Sequence, residues 1–307
     1  MDILILIFGF LIGLILLVKG ADEMVGSAVQ IALKFKIPSS IIGATFIGFG
    51  TSAPELFAST GAALNGDLDL AVGNIVGSNI ANSLLVVGVL YLTIPKDFVK
   101  KIKLNQLSPV WMAILTTVFV STYVQFNSFE IYLGILLLVL TIYVVYKMVS
   151  SDSAEEEDFK NKEKNYIWLR GFLSLAATIY GSKLVVDNAL DLADKFGVSS
   201  LVIGSTIIAI GTSLPEVAGT LAAARLRKPE IVFGNIFGSN LFNIGLVGGV
   251  AISISPGGII SKIDNQLYLM YFVSFLVIFL SRNVVKKNSA VGCSFIAFYL
   301  LFIFSLF

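Results

Sequence analysis

Ten apolar stretches follow one another along this chain with short polar breaks between them, at roughly residues 3–33, 39–64, 69–92, 106–125, 128–148, 166–193, 199–224, 229–252, 266–282 and 289–307. A helix that crosses a bilayer needs about 20 mostly apolar residues, and in lipid a helix satisfies its own backbone polar groups. The expected fold is therefore an all-α membrane protein of ten transmembrane helices, with the lipid bilayer as its solvent. Only 13% of the residues are charged, about half the share of a soluble domain. The first stretch lacks a basic leader and is followed by Lys19 rather than a small-residue cleavage site, so it reads as a retained span.

Charge and residue usage narrow the function. A formal net charge of +1, with lysine and arginine spread over loops, leaves no basic face for nucleic acid. The absence of histidine removes the commonest proton shuttle, the usual soft-metal ligand and the ordinary base for a serine nucleophile. Cys293 has no second cysteine to pair with and reads as apolar filler in the last span. No enzymatic activity, cofactor or obligatory protein partner is expected.

The loops alternate in charge. Lys34 and Lys36, Lys96 to Lys103, Lys147 to Arg170, Arg225 to Lys228, and Arg282 to Lys287 all follow odd-numbered stretches, whereas Lys195 and Lys262 fall in loops of the other set. Basic loops stay in the cytoplasm, which places both termini outside and the protein in the plasma (inner) membrane. The acidic and basic run of residues 150–165 is then a cytoplasmic linker between residues 1–149 and 166–307. Its interspersed charges favour a solvated loop over a Ca2+ sensor. Lys19 and Lys183 lie within spans, near enough to an end to snorkel. Asp22, Glu23, Asp187 and Asp191 do not match across the two halves and read as interfacial or helix-pairing residues.

Those halves repeat one another. GATFIGFGTSAPE at Gly43–Glu55 returns as GSTIIAIGTSLPE at Gly204–Glu216, and GNIVGSN at Gly73–Asn79 returns as GNIFGSN at Gly234–Asn240. Positions 43 and 204, like 73 and 234, stand 161 apart, so one gap-free duplication covers both motifs. With five spans in each half the second copy enters the membrane from the opposite side, an inverted repeat of the kind from which transporters are built.

Inside the repeat the polar side chains fall on single helix faces. Gly48, Thr51, Ser52 and Glu55 are spaced i, i+3, i+4, i+7, and Ala209, Thr212, Ser213 and Glu216 copy them. Pro54 and Pro215 lack the N–H that would bond four residues back, so kinks are expected at Gly50 and Gly211, with free carbonyls beside the hydroxyls. Asn74, Ser78 and Asn82, and Asn235, Ser239 and Asn243, recur at i, i+4, i+8. This inventory is all hard oxygen, which suits Na+ or Ca2+, the latter taking about 6 to 8 such ligands. A lone carboxylate at mid-membrane costs on the order of 2.5–3.5 kcal/mol on insertion scales, which a bound cation offsets. Two carboxylates, Glu55 and Glu216, balance one Ca2+ or two or more Na+. Gly73, Gly77, Gly234 and Gly238 also fit GxxxG, for which close helix packing is the better reading, and the serines and asparagines suit interhelical hydrogen bonds as well as ligation.

On these motifs the sequence resembles the Ca2+/cation antiporter superfamily and, within it, the sodium/calcium exchangers of prokaryotic type. The resemblance implies two inverted five-helix repeats, four central spans around a cluster of cation sites, and alternating access in which the long first and sixth helices slide over the core. Carried over by position, it implies Glu55, Thr51 and Ser52 with Ser78 and Asn82, and Glu216, Thr212 and Ser213 with Ser239, as ligands, completed by carbonyls near Gly48 and Ala209. Asn243, the counterpart of Asn82, departs from relatives that carry aspartate there. The implied activity is exchange of Na+ for Ca2+. A proton/calcium antiporter is the nearest rival, although that branch places glutamate after a GN motif rather than in GTSxPE. A cation channel and an intramembrane protease stand further off.

Overall fold

The structure, a computed structural model, describes residues 3–96, 99–101, 107–126, 128–150, 166–196, 211–255, 258–259, 263–282, 284–286 and 288–305. Among them the fold is all-α: α1 (Ile3–Phe35), α2 (Ser39–Thr51), α3 (Ala53–Leu64), α4 (Leu68–Thr93), α5 (Leu107–Phe126), α6 (Ile131–Ser150), α7 (Ile167–Lys195), α8 (Leu214–Arg225), α9 (Pro229–Ile254), α10 (Asp264–Ser281) and α11 (Ser289–Phe304). Seven of these helices are long and apolar enough to cross a membrane alone, and α2 with α3 forms an eighth span bent by 45°. The remaining two of the ten expected spans are met only in part. Of residues 199–224, the described portion begins at Gly211 and contributes α8, while α11 is a 16-residue helix, shorter than the stretch expected at 289–307. The linker 150–165 lies outside the described residues, apart from Ser150.

α1 and α7 are the longest helices, at 33 and 29 residues. At 1.5 Å per residue each exceeds a hydrocarbon layer of about 30 Å, which leaves room for tilt or for ends that extend past it. They pack antiparallel along their length: Gly9 faces Asn188, Gly13 faces Gly181 and Val185, and Gly20 faces Ser174 and Thr178. A Cβ added to Gly13 would sit 2.8 Å from the Val185 nitrogen, and one on Gly20 3.0 Å from the Ser174 carbonyl. Small residues are what let two membrane helices approach so closely. Because Gly20 and Gly181 are repeat counterparts, as are Gly13 and Ser174, this contact is nearly its own mirror image.

The 161-residue offset recurs in the helix boundaries. α3 and α8 begin at 53 and 214 and end at 64 and 225. α4 and α9 each open with a 14-residue α-helical part, Leu68–Ala81 and Pro229–Phe242, and then widen into π-helical turns, Asn82–Val86 and Asn243–Gly248. π-bulges of this sort concentrate at functional sites. Every residue of Pro229–Phe242 is buried, so this helix needs no amphipathic stripe. α9 lies against α2 along Gly234 and Gly238, where an added Cβ would run into the carbonyls of Ser40 and Ala44. That contact explains the second GxxxG as a packing device. The large apolar side chains left exposed, such as Phe8, Tyr132, Ile142 and Leu301, lie on the outer faces of α1, α6 and α11, as lipid contact requires. Cys293 is also exposed on α11 rather than filling the interior as expected.

Two short ribbons tie the loops together. β1 (Val99–Lys101) and β2 (Ser128–Phe129) pair antiparallel with β4 (Val284–Lys286) and β3 (Gly258–Ile259) respectively. The loop after the third expected span therefore meets the loop after the ninth, and the loop after the fourth meets the loop after the eighth. This pairing gathers Lys100, Lys101 and Lys286 at one end of the bundle, the end that carries the basic loops in the charge alternation.

Candidate cation site

Each carboxylate of interest is delivered by a broken helix. Ser52, with φ −80° and ψ 0°, separates α2 from α3, and Ser213, with φ −92° and ψ 4°, precedes α8. The breaks fall two residues after the expected Gly50 and Gly211, because the proline at the second position of each new helix has no N–H for the glycine carbonyl yet is tolerated in the first turn of a new helix. Glu55 and Glu216 consequently occupy the first turn of α3 and α8, where the helix dipole favours negative charge. Both are 1% exposed.

Thr51, Ser52, Ser78, Asn82, Ser213, Ser239 and Asn243 are buried, as is Gly48, while Thr212 is half-buried and Ala209 lies outside the described residues. Ser78 Oγ donates to Glu55 Oε1 at 3.5 Å. Thr51 Oγ1 donates to the Ile47 carbonyl at 3.1 Å and lies 3.2 Å from Ser239 Oγ, which in turn donates to the Gly48 carbonyl at 3.2 Å. Ser52 Oγ donates to the Ser239 carbonyl at 3.5 Å. The hydroxyls of α2 and α9 thus form one connected group, as close approach along Gly48, Gly234 and Gly238 demands.

Among the described residues much of the oxygen in this group has no partner. Glu55 Oε2, both oxygens of Glu216, Ser213 Oγ and the amides of Asn82 and Asn243 are buried without a hydrogen bond. Buried polar atoms are almost always satisfied, and a buried carboxylate left alone is costly. An orphaned set made of two carboxylates, hydroxyls and amide carbonyls is satisfied by a hard cation. Among the described residues no three His, Cys, Asp or Glu side chains cluster, so the charge available for a cation at this place is that of the glutamate pair.

Three residues outside the expected ligand set take part. Asn235 Oδ1 accepts from Thr51 and Ser239 at 3.4 and 3.5 Å. Asn74 Nδ2 donates to Ser59 Oγ at 2.9 Å and to the Glu55 carbonyl at 3.5 Å. Ser182 of α7 donates to the Gly211 carbonyl at 3.1 Å, the carbonyl that Pro215 leaves free. The two asparagines were visible in the sequence as the first members of the i, i+4, i+8 faces. Ser182 carries no motif and only the packing of α7 finds it. Of the four unmatched acidic residues, Asp22 pairs with Arg225 at 2.9 Å and Glu23 with Arg170, both across helices as expected, while Asp187 pairs with Lys183 at 2.7 Å within α7.

The chain is similar to known proteins over most of its length. The chain is 35% identical over 283 residues to the inner membrane protein YrbG of Escherichia coli, covering 87% of this chain and 84% of that one. It is 33% identical over 337 residues to the sodium/calcium exchanger MaX1 of Methanosarcina acetivorans, covering 87% and 96%. The solved structure of the sodium-calcium exchanger NCX_Mj soaked with 10 mM Na+ and 10 mM Sr2+ superposes over 100% of both chains with a TM-score of 0.83 at 30% identity. The sequence model of the sodium/calcium exchanger protein family matches residues 5–151 and 166–307, and with nearly the whole chain so matched, this multi-pass membrane protein belongs to the sodium/calcium exchanger family.

Proposed function

We propose that the chain is a secondary antiporter that exchanges Na+ for Ca2+ across the plasma membrane by alternating access, with Glu55 and Glu216 as the charge-bearing ligands. The observation that carries this reading is the glutamate pair itself, two carboxylates buried on counterpart helix starts with three of their four oxygens unpartnered. Such a pair is neutralised by one Ca2+ or by two or more Na+ but not by both loads together, which is the condition for exchange. Thr51, Ser52, Ser78, Asn82, Thr212, Ser213, Ser239 and Asn243, with carbonyls at Gly48 and Ala209, complete the proposed ligand set. The name of MaX1 and the Na+ soak of NCX_Mj favour Na+ over H+ as the driving ion.

The proposed architecture is ten spans in two inverted five-helix halves joined by a cytoplasmic linker, with both termini outside. Supporting it are the matched helix boundaries, the antiparallel α1 and α7, and family matches that begin 161 positions apart at 5 and 166. Access is proposed to alternate through the α1–α7 pair. Leu175 of α7 presses on Gly50, and Val186, three turns further along, presses on Gly211. One helix therefore covers both breaks, and its movement along the core uncovers one while covering the other.

Na+-gradient-driven 45Ca2+ uptake into proteoliposomes at fixed pH tests the function. Uptake that requires the Na+ gradient and saturates with Ca2+ is expected; uptake driven equally well by a pH gradient without Na+ overturns the assignment of the driving ion, and non-saturating flux indicates a channel. For the orientation, a cysteine introduced at Ser153 should resist an impermeant thiol reagent applied to intact cells.

A further inference from the structure

Two neighbouring carboxylates on α1 are paired in different directions. Glu23 pairs with Arg170 of α7, inside the covering pair. Asp22 turns to the core, where Arg225 in the last turn of α8 donates from Nη1 to Oδ1 at 2.9 Å and to Oδ2 at 3.2 Å. α8 is the helix that carries Glu216 in its first turn. The Asp22–Arg225 pair therefore joins an element proposed to move to the element it moves against.

The repeat does not reproduce this arrangement. The counterpart of Asp22 is Lys183 and that of Arg225 is Leu64, while Glu23 and Arg170 correspond to Leu184 and Gly9. Lys183 bonds within its own helix, to Asp187 at 2.7 Å. Asp67, the acid nearest to Leu64 in sequence, already caps α4 by accepting from the Leu70 amide at 2.9 Å. When an inverted repeat exchanges the roles of its halves, the contact of positions 22 and 225 becomes a contact of 183 and 64. An ammonium opposite a leucine does not replace an ion pair. From this we infer that Asp22 and Arg225 form an ionic latch, which stabilises the present arrangement of α1–α7 on the core over its mirror arrangement and makes the two faces of the transporter unequal. Glu23 and Arg170 travel together within the covering pair and leave that balance alone.

The inference rests on the proposed movement of α1–α7 over the core, and the test separates the two. In Ca2+-loaded vesicles of each orientation, exchange of 45Ca2+ for unlabelled Ca2+ needs neither a Na+ nor a proton gradient and gives a KM for Ca2+ at each face. A change in the balance of the two arrangements moves the two KM values in opposite directions, whereas damage to the cation site moves both alike. Asp22→Asn and Arg225→Gln are each expected to change the ratio of the two KM values about fivefold in the same direction, the top of the range for a part-exposed pair. Reversing the charges together, Asp22→Arg with Arg225→Asp, should return the ratio to within about twofold of the wild type. Glu23→Gln and Arg170→Gln should keep it within about twofold. Ser182→Ala removes the bond from α7 to the Gly211 carbonyl and reports the movement without a change of charge. A ratio that responds to Ser182→Ala but not to Asp22→Asn or Arg225→Gln overturns the latch alone. So does an equal response to Glu23→Gln, or a reversed pair that fails to restore the ratio. A ratio that responds neither to Ser182→Ala nor to Asp22→Asn overturns the movement, and the latch with it. Wild-type vesicles that exchange no 45Ca2+ overturn the exchange reading itself.

Discussion

The two half-sites contain the same residues and treat them differently. Among the described residues Ser78 donates to Glu55, whereas both oxygens of Glu216 lack a donor. Thr51 is sealed within the α2–α9 contact, whereas its counterpart Thr212 is half-buried. The carbonyl freed by Pro215 is held by Ser182, and the residue matching Ser182 in the first half is Ala21, which has no group to donate. Since Ser78 and Ser239 are chemically equal, their neighbours make the difference. A duplicated inventory thus yields two half-sites with unlike hydrogen bonding, Glu55 holding the hydrogen of Ser78 and Glu216 that of no described hydroxyl.

The strongest way to break the comparison is to remove one charge. Glu55→Gln and Glu216→Gln are each expected to abolish Ca2+ transport, because a single carboxylate cannot balance a divalent ion stripped of several waters. Loss from both variants in the 45Ca2+ uptake assay makes the halves equal in charge despite their unequal hydrogen bonding. Near-normal uptake by either sinks the paired site. Next in size, Gly238→Ala puts a methyl group against the Ala44 carbonyl, and overpacking of this kind costs about 1–3 kcal/mol. A lower thermal midpoint in detergent, with α2 and α9 forced apart and Ca2+ affinity reduced, is the expected outcome.

A smaller effect is expected from making the halves unlike in charge. Asn82 and Asn243 are neutral in both copies, so a third cation finds little further negative charge, and Ca2+ transport should be independent of K+. Asn243→Asp adds a carboxylate at membrane depth that has to take up another cation or a proton. That variant should gain sensitivity to K+ or to pH. Replacing K+ by choline during Na+-driven uptake checks both statements, and collapse of wild-type flux without K+ would place a K+ ligand elsewhere.

How much of this was legible in the sequence follows from where the information lies. The spans, the duplication, the glutamate pair and the proposed oxygen ligands are local in sequence, because lipid demands apolar length and a buried charge demands a reason. The breaks at Ser52 and Ser213 were legible to within two residues, since proline removes a donor but does not say where the next helix begins. The π-helical turns at Asn82 and Asn243 leave no pattern in composition. The contacts of Ser182 with Gly211, and of Asn235 with Thr51 across 184 positions, depend on which helix lies against which, and no periodicity carries that. The unequal use of equal residues was invisible for the same reason.

The smallest expected effect bears most directly on that inequality. Ser182 belongs to α7, and its bond to the Gly211 carbonyl crosses from the α1–α7 pair to the broken helix that carries Glu216. Because Pro215 has removed the helical donor, the carbonyl has a vacant position that Ser182 fills. One such bond contributes about 1 kcal/mol net, a factor of roughly five in an equilibrium constant. Ser182→Ala should therefore shift the balance between the two accessible states about fivefold away from the present arrangement, without touching a proposed cation ligand. The inverted repeat makes a second, sharper demand. In the opposite arrangement position 21 of α1 should stand to the Gly50 carbonyl as Ser182 now stands to that of Gly211, so Ala21→Ser should shift the balance the other way. The measurement is the ratio of 45Ca2+ exchange rates with the Na+ gradient directed inward and outward in oriented proteoliposomes. Opposite displacements of that ratio by the two variants are expected, and displacements of the same sign would mean that Ser182 merely packs α7 against the core.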